Sequence, residues 1–547
     1  MTVQTPQLDP PAPAISTAAD RQVATNYQAN HAALAGTQPR LAARLAGRTL
    51  AVSWVYGRDG SLTARNQGGQ WYSGCSLPHR AAVAMLNRLE VRGTTACFLS
   101  PDHAAMLQVA LDKLQPHQSI IAIIPDLDDL HFALHCGNFA GAIAAHRLWF
   151  AAGDDWPGEL TQLLREHPGL AEPEQFIRAP TLDERTAAEL IPRAQSVLAS
   201  ESQRRRSLIG DLRRRPRATD GPIGIVAPSR FRLWNDAGQV LAESLMSQPG
   251  HWRRLDSDDP ASASSLALAH LAAQSRAIVA ANVTRADWPD AISRDTPVIT
   301  WLTVCRIIPF ARVGPRDGLL LADEAWIEPA LRAGWPRNRL GVAHWPVTAH
   351  AASPAGPAFL ALIADTSPIS ADEAPFELSS HRLLWDLIAQ ELREDPLAPG
   401  DDVGGYLSAR MQRLSICPDG FDRAQFIERL ILPAFQQGVA RIAIREGLPL
   451  KLYGEGWSAI EQLAERAAGA IRSRAELFSA AAAAAGLLHA WPVGGFHPIL
   501  TLGRPVVRPA GRNGGWLGEC RRVLAGTVGA PARPQRTLDG DLVESLL

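Results

Sequence analysis

Residues 475–507 read AELFSAAAAAAGLLHAWPVGGFHPILTLGRPVV. The six alanines 480–485 are too few and too weakly apolar for a membrane span and read as a tightly packed helix, with Gly486 where a helix C-cap belongs. A strand over 487–491, a glycine pair, a short helix PILTL and a β-branched run PVVRP follow. Helix, strand, turn, helix and strand in that order make an α/β unit with a parallel sheet.

The same rhythm extends backwards. A third domain opens at 358–364 (FLALIAD), passes through helical patterns between 379 and 446, and returns to strand at 449–453 before the loop GEGW, 454–457. A second domain opens at 221–228 (GPIGIVAP), with further strands expected at 277–281, 297–302, 318–322 and 340–344. A first shows apolar runs at 49–55, 94–99 and 119–124 between helical patterns, the layout of a parallel sheet with crossover helices. TTACFLSPDHAAML, at the strand-to-helix turn after 94–99, has no glycine that would let a cofactor approach the backbone. The expected division is a flexible tail (1–45), an N-terminal Rossmann-like domain with a basic linker (46–217), and two further Rossmann-like domains (218–350 and 351–547).

Composition agrees with this scale, because 547 residues exceed what one hydrophobic core organises. Hydrophobic residues make up 46% and charged ones 20%, with a formal net charge of −1, which gives no global pull on nucleic acid. The six cysteines form no CxxC pair, so reduced thiols are expected. The N-terminal stretch lacks the basic start and apolar core of a secretory signal, and no later stretch reaches about 18 unbroken apolar residues. A cytoplasmic location and no membrane span are the expectation.

Open α/β sheets place ligands beyond the carboxyl ends of their strands. That rule selects Ser229 and Arg230 in the second domain, and Asp365, Thr366, Gly454, Glu455, Trp457, Gly494, Gly495 and His497 in the third. The glycine pair precedes a short helix, whose unpaired N–H groups suit a diphosphate, and His497 can donate to the same anion. Trp457, in a glycine-flanked loop, is the tryptophan singled out for stacking on a sugar. His381 either faces the cleft or decorates a helix turn capped by Ser379 or Ser380. Asp126, Asp128 and Asp129 read as caps of the next helix or as a DxD-like metal motif. The arginines of 203–217 read as a solvated helix end and linker or as an anion site.

With these segments in place, residues 221–525 resemble the GT-B glycosyltransferases, especially bacterial ones of the spore-maturation (CgeB-like) or family 4-like type. KLYGEGW and 475–507 carry the resemblance. It implies two Rossmann-like domains that clamp a nucleotide sugar, with Gly454, Glu455, Trp457, Gly494, Gly495 and His497 on the donor. It also implies no metal, no cofactor beyond that co-substrate, and a protein, polymer or lipid-linked acceptor. Many such enzymes hold the ribose with a glutamate about five residues before the glycine that matches Gly503; here that place is Pro498. Asp236 and Asp287 are candidates for the general base. The rival readings are a non-catalytic scaffold in surface-glycan or appendage assembly, favoured by Pro498, and a methyltransferase, disfavoured by the missing glycine turn.

Overall fold

The computed structural model describes residues 18–87, 89, 91, 93–101, 103–115, 117–179, 182, 184–216, 218–229, 231–288, 290–304, 306–346, 357–369, 378–400, 402–416, 421–491, 497–509, 515–528, 538 and 540–547. They form two compact units. One comprises Met1–Gly224, Leu255–Arg276 and Trp288–Thr296, and the other Ile225–Arg254, Ala277–Asp287 and Pro297–Leu547.

In the first unit, a helix Ala18–Thr37 and a short helix Pro39–Leu45 occupy much of the stretch expected to be a tail. The buried positions of the long helix, Ala19, Val23, Asn26, Asn30 and Leu34, recur at helical spacing, but two are asparagines and hide the apolar stripe. Asn30 is buried because it clamps a bend: its amide donates to Leu134 O and Gly137 O, both at 2.7 Å, and its carbonyl accepts from Phe139 N at 2.7 Å.

The run 49–55 does not enter the parallel sheet, contrary to expectation. Strand β1 (Ser53–Tyr56) pairs antiparallel with β2 (Leu62–Arg65), because the intervening GRDGS closes a tight hairpin. Gly57 N bonds Ser61 O at 2.7 Å, and Gly60 supplies a φ of +82°.

Strands β3 (Thr95–Leu99), β4 (Ser119–Ile124), β5 (Leu148–Ala152) and β6 (Gln175–Arg178) form a parallel sheet in the order β5-β4-β3-β6. The first three are buried throughout, as their unbroken apolar runs require of a sheet covered on both faces. Asp126 caps the helix Leu127–Cys136 through Asp128 N at 2.8 Å, Asp128 pairs with Arg48, and Asp129 accepts from Tyr72 Oη at 3.3 Å. The basic stretch 203–217 is a helix end as far as Arg214, completing a helix that spans Glu184–Arg214 and leaving Gln203, Arg206 and Arg214 exposed. Arg205 is buried there, donating to Leu170 O and Leu164 O at 2.6 and 2.7 Å.

His131, on the helix Leu127–Cys136, is 2% exposed, and neither ring nitrogen has a hydrogen-bond partner among the described residues. Tyr27 and His135 lie edge-on to it at 4.8 and 4.7 Å, and His31, Arg48 and Asp128 add charge effects. Burial, followed by His135 and Arg48, pushes its imidazole down to about 4 from 6.5. The unfolded chain therefore takes up a proton first as the pH falls, so this contribution is intact above pH 6.5 and is lost between 6.5 and 4. The expected loss is on the order of 2–3 kcal/mol. Urea unfolding at stepped pH should show a decline over this window that is shallower for His131→Phe; equal slopes would contradict it.

The second unit carries two sheets. Strands β7 (Ile223–Ala227), β8 (Trp252–Asp256), β9 (Ala277–Ala281), β10 (Val298–Leu302), β11 (Gly318–Leu321) and β12 (Leu340–Val342) take the order β12-β11-β10-β9-β7-β8. Strands β13 (Leu360–Ile363), β14 (Leu450–Tyr453), β15 (Ala467–Gly469), β16 (Gly486–Leu488) and β17 (Val506–Val507) take the order β15-β14-β13-β16-β17, parallel at every pairing. The C-terminal helix Gly540–Glu544 returns to the first of these sheets, where Arg339 Nη1 donates to Leu546 O at 2.6 Å and Gln248 Oε1 accepts from Gly540 N at 2.7 Å.

The fold class is α/β: two Rossmann-like sheets follow an N-terminal Rossmann-like one. Among the described residues no helix is long and apolar enough to cross a membrane.

Candidate functional site at the switch point of the last sheet

In the last sheet the chain starts at β13, works outward through β14 and β15, then crosses to β16 and β17 on the other side. The crossovers leave in opposite directions there, and the point beyond the carboxyl ends of β13 and β16 is where open α/β sheets place a ligand.

On the β13 side the residues form a locked corner. Glu455 N donates to Asp365 Oδ1 at 2.8 Å, and Glu455 O accepts from Thr366 N at 3.0 Å. Gln437, buried on the helix Leu432–Arg445, donates to Ser367 O at 2.8 Å. The glycines of GEGW serve this packing: Gly456 has φ +84°, and a Cβ there would lie 1.8 Å from Thr366 O, while one on Gly454 would lie 2.1 Å from Ala364 O. Trp457 is fully buried and its indole donates to Ala364 O at 2.7 Å, so its ring faces the core and not a sugar. Asp365 and Glu455 remain exposed at the rim, with Thr366 half-buried.

On the β16 side stand two histidines. His489 follows the strand directly, continues its ladder through Val507 O at 2.9 Å, and is 2% exposed. His497 caps the turn Pro498–Thr501, its Nδ1 accepting from Ile499 N at 3.2 Å. His489 Nδ1 accepts likewise from Trp491 N, at 3.4 Å. A ring nitrogen that accepts carries no proton, so both rings hold their hydrogen on Nε2. The rings meet edge to face at 4.8 Å, with Trp491 at 5.3 Å from His497. Burial first, then Arg508, pushes His489 down to about 4; burial, His489 and Arg508 hold His497 well below 6.5. Both are neutral at physiological pH.

A loop from the neighbouring sheet reaches this place. After β7, Ser229 is exposed, and Trp234 adopts a left-handed φ of +62°, rare for a bulky residue. Its indole donates to Ile363 O at the end of β13 at 2.9 Å, and its ring lies 5.0 Å from His497. A conformation that costs of order 1–3 kcal/mol is held by contacts that tie β7, β13 and His497 together.

Asp236 follows, 4% exposed, in the N-cap position of the helix Ala237–Met246, yet its carboxylate caps no helix N–H. Burial raises its carboxyl, while the charge of Arg474 pulls the other way. Asp287 differs: its Oδ2 accepts from Thr284 N and Oγ1 at 2.8 and 3.0 Å, so it is committed to a turn.

The remaining expected residues lie apart. His381 is 4% exposed against Phe421, edge to face at 5.1 Å, inside a helical cluster, and no serine side chain caps its helix, Ser379–Glu394. Arg230, Gly494 and Gly495 lie outside the described residues. A groove of about 830 Å³ is bordered by Ile369, Leu392, Gly438, Arg441, Arg445 and Leu463. Among the described residues no group of three or more His, Cys, Asp or Glu is placed to hold a metal ion.

Trp234 and His489 were not among the residues expected from the sequence. His489 escaped because a strand over 487–491 put it inside the sheet, whereas β16 ends at Leu488 and makes it the first residue beyond the strand.

No protein-family model matches the chain, and no curated protein matches it. Among solved structures the chain is similar to the MAf glycosyltransferase from Magnetospirillum magneticum AMB-1, at 13% sequence identity and a TM-score of 0.23. The match covers 55% of this chain and 56% of that one, so the chain spans little more than half the length of this neighbour.

Proposed function

We propose that the chain is a glycosyltransferase of GT-B type that binds the diphosphate of a nucleotide sugar beyond the carboxyl ends of β13 and β16. The observation that carries this reading is the meeting of three elements at one switch point: the end of β13, the neutral donor His497, and the loop after β7 that brings Trp234. Neutral N–H donors in a water-poor pocket suit a leaving diphosphate, whose charge grows as the sugar departs.

In the transfer, an acceptor hydroxyl attacks the anomeric carbon, and the bond from that carbon to the diphosphate oxygen breaks with its electron pair leaving on the diphosphate. The hydroxyl proton goes to Asp236, whose raised carboxyl fits a general base. The acceptor is a protein, a polymer or a lipid-linked sugar, and the chain works without a resident cofactor.

A second reading has one observation behind it. Pro498 stands where a ribose-holding glutamate is expected, which favours a scaffold that binds a nucleotide sugar without turning it over.

Thermal unfolding with UDP, GDP, dTDP, ADP and their sugar conjugates tests the reading. At a hundredfold excess over Kd the matching nucleotide should add about 2.7 kcal/mol, and S-adenosylmethionine should add nothing. A shift with S-adenosylmethionine and none with any nucleotide would overturn it. Release of nucleoside diphosphate from the stabilising conjugate separates the enzyme from the scaffold.

A further inference from the structure

His489 presents a buried polar atom that the described protein does not use. Its Nδ1 is committed to Trp491 N, so its hydrogen is on Nε2, and that nitrogen has no hydrogen-bond partner among the described residues although the residue is 2% exposed. A buried N–H left unpaired costs stability, and such groups concentrate where a ligand or a reaction needs them. His497, its ring centre 4.8 Å away, also has Nδ1 tied to the N–H two residues on, which puts its hydrogen on Nε2. Both rings sit where β16 hands over to the next turn, on the side of the sheet that Trp234 covers.

We infer that His489 and His497 form a pair of neutral imidazole donors for the two phosphoryl groups of a diphosphate, with His489 as the inner, positioning member. The inference rests on the donor-site reading above and deepens it: the anion is held by two side chains in fixed tautomers, and His489 is the one most thoroughly removed from water. Neutral donors hold a dianionic group without the desolvation cost of two buried cations. They also leave the pair without charge when the nucleotide departs.

The alternative is a core histidine whose N–H rests on the face of its neighbour, and the two differ in what removal does. His489→Phe keeps the ring volume and deletes the donor. If the donor serves a ligand, the variant folds with unchanged or higher stability when no ligand is present, because a buried unpaired polar group has gone. It should at the same time lose about ten- to hundredfold in affinity for inorganic pyrophosphate and for the nucleoside diphosphate that binds the wild type. His489→Gln, which keeps an N–H, should recover part of that loss.

Calorimetric titration of the full chain with pyrophosphate, UDP, GDP, dTDP and ADP, beside melting temperatures, reads all of this. Binding of a nucleoside diphosphate that His489→Phe leaves unchanged would overturn the inference and spare the donor-site reading. Pyrophosphate binding that depends on His489, with no nucleotide bound, would uphold the pair and overturn the nucleotide reading. No binding of any probe to the wild type would overturn both. Should His489→Phe fail to fold, a shift of the His489 Nε2 resonance in the wild type on adding pyrophosphate decides the matter, and an unmoved resonance rejects the pair.

Discussion

Asp236→Asn lowers turnover by about 10²–10⁴-fold and leaves nucleoside-diphosphate affinity unchanged. The amide keeps the shape of the carboxylate and loses the basicity that takes the acceptor's proton. Asp236 suits this role because it is buried without capping the helix it precedes. Burial raises its carboxyl above the ordinary range, so activity should fall as the pH drops through that raised value, and the acidic limb should vanish in the variant. The same burial makes the ionised group a liability at neutral pH, and Asp236→Asn is therefore expected to be at least as stable as the wild type. Steady-state kinetics with the donor identified by binding, compared with urea unfolding, checks both halves. Full turnover in the variant would remove Asp236 from the chemistry.

Asp317→Ala costs about 3–5 kcal/mol of stability. Asp317 accepts from Arg285 Nε and Nη2 at 2.8 and 2.7 Å, from Val298 N at 2.9 Å and from Gly314 N at 2.7 Å. The carboxylate side chain is 3% exposed and its guanidinium partner 10%. One carboxylate thereby pins the start of β10, the loop before β11 and the turn after β9. Its removal strips a buried guanidinium of its counter-charge and orphans two backbone N–H groups. Replacing both partners, Arg285→Met with Asp317→Leu, should recover much of the loss, because no half-pair then stays buried. Urea unfolding of the three proteins decides, and a loss below about 1 kcal/mol for Asp317→Ala would mean that water replaces the pair.

Much of the fold was legible because both features that define it are local. Continuous apolar runs such as SIIAII and AIVAA become strands buried on both faces, and helical patterns between them force parallel crossovers. What stayed hidden depended on tertiary context. The helix Ala18–Thr37 buries asparagines that earn their place by clamping a bend more than a hundred residues away, a fact that no hydrophobic period encodes. The run 49–55 pairs antiparallel because of its turn, not its strand. At the site, GEGW was legible as a special loop, but its glycines answer to a carbonyl of another strand and Trp457 turns into the core. His497 was legible as the residue before a short helical turn. His489 was not, because strand ends are the least certain feature of a sequence reading and three residues decided which side of the boundary it fell. Trp234 needed the approach of two sheets within one unit.

The most direct test is a crystal structure of the full chain with the nucleoside diphosphate that stabilises it. The expected density for the diphosphate lies beyond the carboxyl ends of β13 and β16, with His497 Nε2 within about 3 Å of a phosphoryl oxygen and Trp234 beside it. A nucleotide seated in the groove beside Arg441 and Arg445, or on the N-terminal sheet, would contradict it.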